Sequence, residues 1–157
     1  LVLAAGSADE EGIGNEVAAL IADLQRTRSN VWWIKEMLPH EQLTAMLTAA
    51  DLFICPSIYE PLGIVNLEAM GCETAVLGSR VGGIPEVVAD KETGELVDYK
   101  GEAASFEKAL TESITRLMAQ PELLKKYGTA GRARAQKLFG WDAVAALTVD
   151  LYRRVIA

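Results

Sequence analysis

DLFICPSIYEPLGIVNLEAM, residues 51–70, is the stretch on which the reading of the chain turns. Leu52, Phe53, Ile54 and Cys55 form a short apolar run closed by Pro56 and Ser57, the pattern of a buried strand. A turn through Tyr59, Glu60, Pro61, Leu62 and Gly63 comes next, and residues 64–70 suit a helix. Strand, short Pro/Gly turn and helix together make an anion site. The first backbone N–H groups of a helix lack intrahelical partners, and the helix dipole places partial positive charge there. Gly63, without a side chain, lets a phosphate approach the backbone.

Two carboxylates flank the turn, Glu60 before the helix and Glu68 inside it. Beside an anion site they make sense as hydroxyl ligands, because an ionised Glu only accepts hydrogen bonds and can hold two hydroxyls of a ribose or hexose. The plain alternative is a solvated loop acid and a solvated helix acid, and spacing alone favours it, since acids near helix N-termini are common.

The run from Glu60 to Glu68 resembles the E-x7-E motif of retaining glycosyltransferases of the glycogen-synthase-like group. The match extends to VGGIPEVV at 81–88 and GELVDY at 94–99, and runs from residue 1 to the 141–152 region. It is closest to bacterial glycogen synthases that use a nucleotide-activated glucose. The resemblance implies a Rossmann-like, doubly wound parallel sheet with helices on both faces, the C-terminal donor-binding half of a GT-B fold.

Composition agrees with one such domain. At 157 residues, half of them apolar, the chain can bury a full core. A net charge of −7 argues against a nucleic-acid partner. Cys55 and Cys72 offer no metal spacing and read as a reduced pair in the cytoplasm. No apolar run approaches the roughly 18–20 residues of a membrane span.

From the start of the chain, residues 1–5 read as a buried strand and 6–15 as a loop, whose Gly12-Ile13-Gly14 lacks the third glycine of a dinucleotide fingerprint. Residues 16–27 space Val17, Leu20, Ile21 and Leu24 as an amphipathic helix. Residues 30–35 (NVWWIK) read as a second strand with Trp32 and Trp33 on opposite faces, packing residues and not a sugar platform. Residues 36–40 form a loop carrying the sole histidine, His40, which reads as a surface residue. A helix over 41–50 turns Leu43, Met46 and Leu47 inward. After the central stretch come a helix end at 71–74, a strand at 75–77, a Gly turn and short helix at 82–86, a strand at 95–97, and helices over 103–119, 121–139 and 141–156. Strands alternating with helices predict a parallel sheet, with ligands outside the carboxyl ends of its strands.

The resemblance also implies roles. Glu60, the catalytic candidate, would hold donor-sugar hydroxyls, the backbone of Leu62, Gly63 and Ile64 would meet sugar and phosphate, and Glu68 would hold the ribose. Met37 and Leu38 would contact the base, with packing on the sheet as the other reading. ADP-glucose or UDP-glucose would give its glucosyl group to an α-1,4-glucan with retention, as in glycogen synthesis, without a metal or other cofactor. Another nucleotide sugar and acceptor, or a non-catalytic Rossmann-like interaction module, are the alternatives. In the family an Arg and a Lys upstream neutralise the donor phosphates. The resemblance implies that those residues, the domain's first strand and the N-terminal acceptor domain lie outside this sequence. The resemblance therefore implies weaker donor binding, by about 3–6 kcal/mol for two charge-assisted contacts, and no turnover by this chain alone.

Overall fold

The computed structural model describes residues 1–4, 8 and 10–156. The chain divides into two compact units, Leu1–Leu43 and Thr44–Ala157.

The first unit contains β1 (Val2–Ala4), α1 (Glu11–Thr27) and β2 (Trp32–Ile34), and ends within α2 (His40–Ala49). β1 and β2 pair in parallel, Leu3 opposite Trp33. A parallel pair needs a crossover, and α1 supplies it. Ile21 and Val31 are buried, and Gln25 Nε2 donates to the Val31 carbonyl at 3.0 Å. Two expectations change here. The first strand is not a buried one, since Leu1 and Val2 are exposed; its ladder has a single partner strand among the described residues. The expected loop over 6–15 shortens, because α1 begins at Glu11 and takes in Gly12 and Gly14. Glycine costs little in a first turn that has hardly any ladder to weaken, and Glu11 there meets the positive end of the dipole. Gly6, Ser7 and Asp9 of that loop, and Ala5 of the expected strand, lie outside the described residues.

The second unit carries β3 (Leu52–Cys55), α3 (Ile64–Gly71), β4 (Ala75–Ser79), α4 (Ile84–Val87), β5 (Gly94–Val97), α5 (Ala103–Met118), α6 (Pro121–Arg134), a π-helical turn (Ala135–Phe139) and α7 (Trp141–Ile156). Its strands form one parallel sheet in the order β3-β4-β5, with Leu77 opposite Ile54 on one side and Glu95 on the other. The expected α/β architecture of parallel strands and flanking helices is present; among the described residues its ladders fall into a two-stranded and a three-stranded parallel sheet. β4 lies in the middle and is buried along its whole length. Side chains alternate across it. Ala75 and Leu77 join Val97, Phe106, Leu117, Leu124 and Tyr127 in the main core, while a side chain at Gly78 would meet Ile84. Each fully buried Leu or Ile contributes about 1.5–3 kcal/mol. β3, expected to be buried, is half-buried except at Cys55, because β4 is its only ladder partner among the described residues.

Beyond Gly71 the chain leaves α3 through Glu73 in the left-handed region (φ 61), with Thr74 N–H donating to the Ala69 carbonyl at 3.0 Å. This is a Schellman-type end, normally built with glycine. Pro121 opens α6, where its missing N–H costs nothing. The helix expected over 121–139 is α-helical only to Arg134 and continues as the π-helical turn.

Among the described residues, Glu95 is a charged side chain buried in this core. Glu95, on β5, is 3% exposed; it accepts from Ser113 Oγ at 3.1 Å and from Arg116, and Lys91 Nζ lies 2.7 Å away. Burial pushes its carboxyl pKa up, but the hydrogen bonds and charges of Lys91 and Arg116 outweigh burial and hold it below the ordinary value. A depressed carboxylate stabilises the fold above its unfolded pKa, and the contribution is lost as pH falls through the folded value. Urea unfolding of the parent should therefore lose more stability between pH 7 and pH 3 than unfolding of Glu95→Gln, which has no such proton to bind. Equal losses would show that Glu95 does not drive acid sensitivity.

Candidate functional site

The site is built where adjacent parallel strands end. β3 and β4 both finish at the same edge of the sheet, so the loops that leave them meet. The loop after β3 runs through Pro56–Gly63 and enters α3. The loop after β4 runs through Arg80–Gly83 and enters α4. Two bonds join them: Gly83 N–H donates to the Glu60 carbonyl at 3.0 Å, and the Ser79 hydroxyl donates to the Ser57 carbonyl. Gly82 takes φ 49, and a Cβ there would overlap the Glu60 carbonyl group; a Cβ on Gly83 would lie 2.6 Å from Leu62 Cα. Both glycines are thus required by close approach of backbone to backbone.

Gly63 is the N-cap of α3, buried and in the left-handed region at φ 87. That conformation turns the chain sharply from the loop into the helix. The Glu60 carboxylate folds back over the turn, its Oε1 accepting from Gly63 N–H at 3.0 Å. An acid at this place satisfies one orphan donor of the helix and faces its positive end. So Glu60 is not a freely solvated acid: its carboxylate caps the N-terminus of α3.

The large apolar side chains of this turn and of the first turn of α3 are exposed. Ile58, Tyr59, Leu62, Ile64 and Val65 are all exposed, Tyr59 by 82%. Exposed apolar side chains next to a few directed polar groups are a common feature of small-molecule sites. Leu62 and Ile64 thus flank Gly63 as the sequence places them. Glu68 stands one turn further along α3, half-buried, and makes no ion pair among the described residues.

Met37 and Leu38 belong to the first unit; Met37 is 90% exposed and Leu38 is half-buried. His40 is exposed at the start of α2. Lys35 stacks its ammonium 4.2 Å from the centre of the Trp33 ring, while Trp32 is exposed. Arg80, in the second loop, is already engaged: Nε donates to Asp98 at 2.8 Å and Nη2 to Asp90 at 2.6 Å. These pairs commit it to bracing the end of β5.

Three contributors escaped the sequence reading. Arg134, at the end of α6, donates to the Val87 and Glu86 carbonyls at 2.8 and 2.9 Å and so caps α4 from a distance of 47 residues in sequence. Ser79 reads as an ordinary strand end. Asn66, inside an apolar run, is entirely buried, and both polar atoms of its side chain lack a protein partner. Its place three residues after the N-cap was the one available signal.

Comparison with known proteins places this geometry among relatives. Residues 4–134 match the family described as glycosyl transferases group 1. Over its whole length the chain is 50% identical to an alpha-maltose-1-phosphate synthase of Mycobacterium tuberculosis, of which it covers 41%. It is 36% identical over 152 residues to a D-inositol 3-phosphate glycosyltransferase of Streptomyces coelicolor, covering 96% of this chain and 30% of that protein. Among solved structures, sucrose-phosphate synthase of Thermosynechococcus elongatus superimposes with a TM-score of 0.82 at 33% identity, over 99% of this chain and 38% of that one. Anabaena HepE in complex with UDP-glucose gives a TM-score of 0.74 at 22% identity, over 94% and 40% respectively, a likeness of fold. The chain thus spans at most about two fifths of the length of each of these relatives, 41% of the mycobacterial synthase.

Proposed function

Since the chain belongs to the group 1 glycosyl transferases, we propose that it is the donor-binding part of a retaining enzyme that transfers glucose from a nucleoside-diphosphate glucose, ADP- or UDP-glucose, to an α-linked glucose acceptor. The observation that carries the reading is the junction of the two loops at Glu60 and Gly83, which gathers a helix N-terminus, a carboxylate and exposed apolar side chains in one place. The UDP-glucose bound by the HepE fold relative points the same way.

In this reading the diphosphate lies at the N-terminus of α3, against the backbone of Leu62, Gly63 and Ile64. The bond from the anomeric carbon to the phosphate oxygen breaks, and the electron pair leaves with the diphosphate. The acceptor hydroxyl bonds to that carbon on the same face and gives its proton to the departing phosphate oxygen. Preorganised N–H groups meet the charge that develops on the leaving group, the contribution that usually dominates such catalysis. Glu60 orients hydroxyls of the donor sugar, and a phosphate leaving group needs no general acid. Glu68 holds the ribose, and no metal is assigned a role. The Arg and Lys clamp and the acceptor domain come from outside this chain, and the enzyme works in the cytoplasm.

For the acceptor, the mycobacterial relative is named for α-maltose 1-phosphate, two linked glucoses with one phosphate. Identity of 50% along the whole chain favours a phosphorylated glucose as acceptor here. The end of an α-1,4-glucan, as in glycogen synthesis, is the second reading. It differs only in the group attached to the accepting sugar, a glucan chain in place of a phosphate.

Calorimetric titration with ADP-glucose, UDP-glucose and GDP-mannose tests the donor site. One glucose donor should give saturable heat, and Glu68→Ala should weaken it at least tenfold, about the 1.4 kcal/mol of one lost hydrogen bond to a charged group. Silence toward all three donors, both by this chain and by a chain extended to the relatives' length, would sink the proposal.

A further inference from the structure

The N-terminus of α3 holds two groups that suit one hydrogen-bond donor. In a capping box, the residue three places after the N-cap reaches back and accepts from the N-cap N–H. The N-cap is Gly63, so that residue is Asn66. Its side chain does reach back, as helical side chains do: Nδ2 lies 2.5 Å from where a Cβ on Gly63 would stand, with Ile84 and Glu60 Cγ beside it. Yet Gly63 N–H is bonded to Glu60 Oε1, and the Asn66 side chain, 0% exposed, has no protein partner for either polar atom. A buried carboxamide without partners is costly, and native proteins keep few of them.

We propose that Asn66 is a positioning residue that takes over the Gly63 N–H when a bound donor draws Glu60 away. The inference rests on the reading of Glu60 as a ligand of donor-sugar hydroxyls. When the carboxylate swings out to those hydroxyls, the buried Gly63 N–H loses its acceptor, because the diphosphate approaches Gly63 at its bare Cα and takes its hydrogen bonds from the N–H groups that follow, at Ile64 and Val65. A half-turn of the Asn66 carboxamide exchanges its oxygen and nitrogen without a change of volume and presents Oδ1 to that N–H. The free state then has Glu60 capped and Asn66 unpaired; the bound state has both engaged. Because Asn66 gains a bond only in the bound state, it shifts the balance toward binding. The same packing explains why residue 63 is glycine twice over, by its φ of 87 and by the carboxamide filling the place of a side chain.

The test compares the parent with Asn66→Leu, which keeps the volume and removes the polar atoms, and with Asn66→Ala, which avoids overpacking. Each is titrated with UDP-glucose and ADP-glucose, in the length of chain that binds donor in the titration above, and melted without ligand. The expected result is a split. The free Leu variant melts at or above the parent temperature, because it loses a side chain that had no partner, while both variants bind donor at least tenfold more weakly. Exchange of the Gly63 amide supplies a second reading: protected in the parent with and without donor, and unprotected in the variants once donor saturates them. Unchanged affinity in both variants overturns the proposal. So does a parallel fall of affinity and melting temperature, which marks a purely structural residue. If the parent binds no donor at either length, the role of Glu60 fails first and that of Asn66 with it.

Discussion

Gly82→Ala should reduce donor binding at least a hundredfold. Gly82 has a φ of 49, a conformation that costs an L-residue about 1–2 kcal/mol, and its new methyl group would overlap the Glu60 carbonyl, with the carbonyl carbon at 2.9 Å. The obstacle is backbone, which cannot swing aside as a long side chain can. The two loops must separate, breaking the bond from Gly83 N–H to Glu60 and moving the carboxylate with it. Displacements of about 1 Å in a binding constellation can cost about a hundredfold. Titration with the glucose donor, beside a circular-dichroism check that the helices persist, reads the effect. Gly101→Ala is the control for strain alone, since it shares a positive φ of 85 but meets no atom within 4 Å. Binding within threefold of the parent in Gly82→Ala would show that the junction of the loops does not shape the site.

The second large effect concerns stability. Gly128→Ala should lower the unfolding free energy by about 3 kcal/mol, the upper part of the range for overpacking a core. Gly128 is on α6, buried against the turn that ends α3, and a methyl group there would overlap the Glu73 carbonyl, with its carbon at 2.8 Å. Glu73 cannot retreat easily. It is held in the left-handed region, and the next residue is tied by Thr74 Oγ1 to the Leu47 carbonyl at 2.6 Å. Helix and turn must part, opening the contact of α6 with β4. For a chain of this size the expected fall in melting temperature is about 6–12 °C. Gly71→Ala supplies the contrast: it lies in a helix with nothing within 4 Å, so alanine should be neutral or stabilise by up to about 1 kcal/mol. A Gly128→Ala variant as stable as Gly71→Ala would refute the packing argument.

The two glycines show what is and is not written locally. Gly82-Gly83-Ile84-Pro85 announces a turn and a helix start from composition alone. That the turn needs two glycines because it abuts Glu60, 22 residues earlier, depends on the parallel pairing of β3 with β4. Gly128 is a sharper case. In sequence it is a poor helix former in a helix, and its reason lies 55 residues away at Glu73.

Much of the fold was legible because period and punctuation are local. Apolar runs bounded by Pro, Gly and Ser marked the strands, helical spacing marked the long helices, and the strand–turn–helix of residues 51–70 marked the start of α3, where Gly63 and the Glu60 carboxylate stand. Burial was misjudged at β1 and β3, since an apolar run reports what a strand could bury and not how many partners its sheet provides. The start of α1 was missed because glycines suggest a loop, although a first helical turn tolerates them.

The α/β class, the order of the elements and which loop leaves which strand are therefore set by sequence, for these depend on neighbours within a few residues. Tertiary structure alone decided that Glu60 caps Gly63, that Arg80 braces Asp90 and Asp98, that Arg134 closes α4, and that Asn66 is sealed beneath the turn without a partner. Each of those facts depends on which backbones approach across the sheet. Local propensities leave that distance open, and only the packed core closes it.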